Sequence, residues 1–149
     1  MTPPFIAQER PDTCALACLR MVFAFLGTQI SEQELFQEVI LETGGLNPEE
    51  LSQLGRRHGL RAIERQLTFE ELIDLTSQNR FPIVFLNRAP VDKADEGHAV
   101  IPVRFSRHFV TILDPLQSKR RISIRKFEAA RRLVNYWTVT WENMTENGI

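Results

Sequence analysis

The chain has 149 residues, of which 43% are hydrophobic and 25% charged, with a net charge of −1 and a pI near 6.3. That is enough for one core of ordinary size, so a single domain over 1–149 is expected. The near-neutral balance offers no basic field to nucleic acid. Two cysteines make no disulfide framework, which suits a reducing cytosol.

Met1-Thr2-Pro3-Pro4-Phe5 has no charged start and no long apolar run, so no signal peptide is expected. Residues 8–14 are polar and contain Pro11. The apolar run from Ala15 to Leu26 follows and stops at Gly27. This reads as a loop entering a buried helix, with Asp12 or Thr13 as N-cap and Gly27 at the end. Arg20 breaks the run, which is too short to span a bilayer. Ser31-Glu32-Gln33-Glu34 is a capping-box start to a helix carrying Leu35, Phe36, Val39 and Ile40. Gly44-Gly45 after it reads as a helix-ending turn. Asn47 caps the next helix with Pro48 at its first position; Leu51 and Leu54 share a face, and the helix ends near Gly59.

Residues 60–65 read as a strand, Thr68-Phe69-Glu70-Glu71 as a helix start before Leu72, Ile73 and Leu75, and residues 82–86 as a buried strand. Residues 88–97 are polar with a proline and are expected to be an exposed loop. Gly97–Phe105 and His108–Asp114 are apolar and β-branched, separated by Ser106-Arg107, which predicts a hairpin. Pro102 implies an edge position or a bulge in the first strand.

Four residues in this layout carry chemistry. Cys14 falls in the first turn of the first helix, where free N–H groups and the helix dipole favour a thiolate. Gln8 sits in the loop just ahead. Its amide and the Cys14 N–H form a candidate pair of oxyanion donors. His98 opens the first hairpin strand and Asp114 closes the second, so the two ends lie side by side although sixteen positions apart. The aspartate can then orient the imidazole, and the imidazole can take the thiol proton. Each residue alone has a plainer reading: a core cysteine, a strand-edge histidine, an Asp-Pro turn. It is the joint occurrence that points to a cysteine nucleophile. Cys18, one turn further in, reads as a buried structural thiol.

The chain resembles the double-glycine peptidases, papain-like cysteine peptidases that process bacteriocin precursors and often form the N-terminal part of a peptidase-containing ABC transporter. The first motif stands here as Gln8, four residues, Thr13-Cys14-Ala15, Leu16 and Ala17-Cys18-Leu19. The second runs from His98 to Asp114-Pro115, followed by the basic turn at Lys119-Arg120-Arg121, a short strand, a helix with Phe127 and a strand with Trp137. Thr13 stands where the family usually has aspartate. Ala15 replaces the usual glycine, and its methyl group is expected to narrow the approach to the nucleophile.

The resemblance implies an α+β papain-like fold, an N-terminal helical half packed on a mostly antiparallel sheet. It implies a Cys14–His98–Asp114 triad with Gln8 at the oxyanion and no cofactor. The substrate would be a precursor peptide with an amphipathic helical leader, cut after Gly-Gly or Gly-Ala. An ABC transporter is a possible partner, at the cytoplasmic face of the membrane. A freestanding peptidase with another substrate and a non-catalytic peptide-binding module are the alternatives.

The other histidines read as structural, His58 at a helix C-terminus and His108 in a solvated turn. No metal-ligand spacing is present. Lys119-Arg120-Arg121 with Arg125, Lys126, Arg131 and Arg132 reads as a solvated basic face.

Overall fold

The computed structural model describes residues 1–39 and 45–142. The chain runs α1 (Cys14–Phe25), α2 (Glu32–Phe36), α3 (Pro48–Arg57), β1 (Arg61–Gln66), α4 (Phe69–Ser77) and β2 (Ile83–Asn87). It continues through α5 (Ala89–Asp92), β3 (Gly97–Phe105), β4 (Phe109–Asp114), β5 (Ser118–Ser123), α6 (Ile124–Arg132) and β6 (Trp137–Glu142). The strands form one sheet in the order β1-β6-β2-β3-β4-β5, every neighbouring pair antiparallel. This is the expected α+β architecture.

Strand alternation splits the core into two layers. In β2, Ile83 and Phe85 face α1 and α3 together with Ala99 and Ile101 of β3. Val84 and Leu86 face the other way, joining Val100, Leu72 of α4 and Phe127 of α6. Near-continuous apolar sequence in β2 and β3 follows from this burial on both faces. The helical half is therefore only one of two layers, since α4 and α6 cover the second face.

Local rules set most boundaries. Ser31, Asn47 and Thr68 each close a capping box with the glutamate three residues on. Gly27 and Gly59 follow α1 and α3 at φ of 93° and 91°, where glycine is free of Cβ strain. Pro102 lies at a bulge, since the β3–β4 register shifts between Pro102 and Arg104 and β2 pairing ends at Val100.

Three expectations change. The second helix is a short turn ending at Phe36; Ile40 and Gly44 lie outside the described residues, and Gly45 has a φ of 83°. The segment 88–97 is not simply an exposed polar loop. It contains α5, and the side chains of Arg88 and Asp92 are each only 13% exposed because they pair with each other. The basic run is not uniformly solvated either. Arg131 is fully buried, bonded to Glu128 and to the Leu67 carbonyl, and Arg120 turns inward onto two carboxylates.

Phe127 is fully buried in the second layer. Phe127→Ala is expected to cost about 3–5 kcal/mol in urea unfolding.

Candidate active site

The first turn of α1 is left open. Thr13 is the N-cap residue, but its side chain caps no helical N–H. Its hydroxyl instead accepts from the Arg10 N–H and donates to the Arg10 carbonyl, both at 3.1 Å, so it braces the preceding loop. The Cys14 N–H has no intrahelical partner at this position. Cys14 is half-buried, while Cys18 is fully buried. Burial, with the Cys14 and Asp114 charges nearby, pushes the Cys18 thiol well above its ordinary value. Ala15 packs into the core, and it lines neither cleft beside Cys14. Its methyl group thus does not narrow the approach, contrary to expectation, because the helix turns it inward.

His98 and Asp114 meet across the hairpin ends. Nε2 of His98 lies 2.6 Å from Oδ1 of Asp114, with both residues buried. The ring and Cys14 line the same two clefts, and the Cys14 side chain helps to raise the ring's titration. With Nε2 donating to the carboxylate, Nδ1 is the nitrogen left for the thiol. Burial pushes His98 down, but the hydrogen bond to Asp114 and the influence of the Cys14 side chain outweigh it and raise the ring to about 9. Burial likewise pushes Asp114 up, yet hydrogen bonds from His98, Arg120 and the Leu116 N–H hold it at about 2. At neutral pH this is an imidazolium–carboxylate pair.

Gln8 reaches the same cleft by a tied-down loop. Its N–H donates to the Pro115 carbonyl at 3.0 Å, which joins this loop to the end of β4. Glu32, buried, accepts from the Glu9 N–H and from Arg10. The Gln8 amide Nε2 donates to the Arg10 and Pro11 carbonyls at 2.8 and 3.1 Å. Its Oε1 is buried and unpartnered. The four expected residues therefore come together, with the glutamine donor directed at its own loop rather than at the thiol.

Two clefts flank Cys14 and His98. One, of about 280 Å³, is of mixed character and includes Gln8, Asp12, Glu96 and Leu116. The other, of about 200 Å³, is mostly apolar and is walled by Leu46, Pro48, Leu86, Val134 and Trp137. Among the described residues no His, Cys, Asp and Glu group is arranged to hold a metal. No helix among them is long and apolar enough to cross a membrane.

Sequence reasoning missed Arg120, Asp92 and Glu32. A signal for Arg120 was present: β5 alternates, and Arg120 is the residue facing Ile112, diagonal to Asp114 across the β4–β5 pair.

A family model matches residues 2–131. The chain belongs to the peptidase C39 family. Its members are cysteine peptidases. The fold agrees with solved C39 structures. A C39-like peptidase from Bacillus anthracis superposes with a TM-score of 0.80 at 17% identity, covering 93% of this chain and 94% of that one. A double glycine motif protease from an AMS/PCAT transporter, solved with a leader peptide, gives 0.74 at 19% identity, covering 94% and 91%. The peptidase domain of Streptococcus ComA, a bifunctional ABC transporter of a quorum-sensing pathway, gives 0.76 at 15% identity, covering 92% and 96%. No curated protein matches the chain. The family model thus gives the C39 family, and the solved structures show that the fold is shared.

The pair fixes a pH dependence. His98 titrates near 9 in the fold against about 6.5 when unfolded, so its stabilisation is complete below about 6.5 and is lost as pH rises through 9. Asp114 at about 2 stabilises above about 3.9 and loses this as pH falls through 2. The unfolding free energy of the wild type is expected to fall between pH 6 and pH 9 more steeply than that of His98→Gln, measured by urea titration.

Proposed function

We propose that this C39 peptidase is a single-domain cysteine endopeptidase over 1–149 that removes an amphipathic helical leader from a precursor peptide after Gly-Gly or Gly-Ala. The observation that carries the reading is the buried His98–Asp114 hydrogen bond with Cys14 beside the same ring in both clefts. In this reading Cys14 and His98 rest as a thiolate–imidazolium pair, the thiol proton already on His98 Nδ1, and the sulfur attacks the carbonyl carbon of the second small residue. The Cys14 N–H and the Gln8 amide hold the oxyanion. Gln8 reaches it by exchanging its exposed 3.1 Å bond to Pro11. Collapse breaks the C–N bond, and His98 protonates the leaving amine. Water, deprotonated by His98, then hydrolyses the Cys14 thioester and restores the thiol. Asp114 stays ionised and keeps the imidazole proton on Nε2.

Substrate choice follows from the apolar cleft. The mostly apolar cleft between Leu46, Pro48, Val134 and Trp137 beside Cys14 suits residues without polar side chains. The relatives solved with a leader peptide and as a transporter domain support a leader peptide as substrate. By the same likeness we place the protein on the cytoplasmic side, with an ABC transporter as partner.

The test is labelling of the purified protein with iodoacetamide, mapped by mass spectrometry. Fast labelling of Cys14 but not Cys18, slowed by His98→Ala, is expected. Equal and slow labelling of both, indifferent to His98, would sink the assignment. With a leader peptide ending in Gly-Gly, Cys14→Ala and His98→Ala should abolish cleavage with the fold intact by circular dichroism. Gln8→Ala should slow it about a hundredfold.

A further inference from the structure

Beyond the four residues above, one side chain holds the site from behind. Arg120, on β5, donates from Nε and Nη2 to Oδ2 of Asp114 at 3.1 and 2.8 Å. The same guanidinium donates from Nη1 and Nη2 to Asp92 of α5 at 3.0 and 2.8 Å. Asp92 also accepts from Arg88 Nε at 3.3 Å, and Arg88 bonds Glu96, two residues ahead of His98. Alternating charges thus run from His98 through Asp114, Arg120, Asp92 and Arg88 back to the segment that leads into His98.

We propose that Arg120 is a positioning residue of the peptidase: its planar fork clamps the Asp114 carboxylate so that Oδ1 presents to His98, and anchors α5 and the strand entry that carries His98. The inference rests on the Cys14–His98–Asp114 reading. The geometry supports it in three ways. A carboxylate bonded on one oxygen only would be free to rotate away from the ring, and Arg120 occupies the other oxygen with two donors. A lysine offers a point charge without that fork. Arg120 lines neither cleft, so it acts through Asp114 rather than on substrate.

The charged groups around Asp114 are His98 on β3, Arg120 on β5, Asp92 on α5 behind Arg120, and Cys14 and Cys18 on α1. Removing the Arg120 charge leaves Asp114 a less neutralised partner for the imidazolium, which raises the His98 titration. Removing the fork while keeping the charge leaves that titration in place and frees the carboxylate to turn.

The experiment measures two things on the purified full chain. One is kcat and KM on a helical leader peptide ending in Gly-Gly. The other is the NMR titration of the His98 ring, one of only three histidines. For Arg120→Met, kcat should fall about 10- to 100-fold per folded enzyme with KM little changed, and the His98 midpoint should move to higher pH. Arg120→Lys should return the midpoint towards wild type while kcat stays at least tenfold down. An unmoved His98 midpoint in Arg120→Met, or a kcat loss fully explained by unfolded protein, overturns the inference. Should Arg120→Met fail to fold, Arg120→Lys decides alone: wild-type kcat overturns the clamp, and a tenfold loss with an unmoved midpoint supports it. A wild-type enzyme whose cleavage is indifferent to His98→Ala would instead overturn the triad reading, a distinct outcome.

Discussion

A fully buried carboxylate organises this molecule. Asp114 has no exposed surface, and an ionised group in that position is tolerated only when its lone pairs are met. It receives four hydrogen bonds: from His98 and the Leu116 N–H on Oδ1, and from two nitrogens of Arg120 on Oδ2. Each donor comes from a different stretch of chain. Meeting the needs of one charge therefore fixes the ends of β3 and β4, the turn into β5, and the facing side of α5.

The nucleophile candidate depends on a second arrangement, a helix start that is not capped. Thr13 spends its hydroxyl on the Arg10 backbone, and this leaves the first-turn N–H groups of α1 without a side-chain partner. The loop before it is fixed from both sides, by Pro115 at the end of β4 and by buried Glu32 on α2. The Gln8 loop, the thiol and the imidazole are thus positioned by contacts among α1, α2 and the β3–β4 hairpin. The candidate site lies where these meet.

Two thiols four residues apart show how environment separates chemistry from packing. Cys18 sits among Leu19, Met21 and Val22 in the core and is held protonated by burial. Cys14 is one turn nearer the surface and opens onto both clefts, which His98 also lines. The two clefts differ in kind, mixed on the Gln8 side and mostly apolar on the Trp137 side.

Much of this was legible in the residues themselves. Helix starts at Ser31, Asn47 and Thr68 and the hairpin from Gly97 to Asp114, with His98 and Asp114 at its facing ends, follow from local rules: capping chemistry, strand periodicity and the pairing of hairpin ends. These are short-range, so a single chain states them. Other features were decided only by tertiary structure. Ala15 turns its methyl group into the core because the helix face is set by packing against the sheet. Arg120 looks like one of several surface arginines until β5 pairs with β4 and α5 folds across it. The Gln8 amide spends its donors on its own loop because that loop is pinned by Pro115 and Glu32. Long-range burial assigns each polar side chain its partner, and burial is the quantity that a local pattern of residues does not contain.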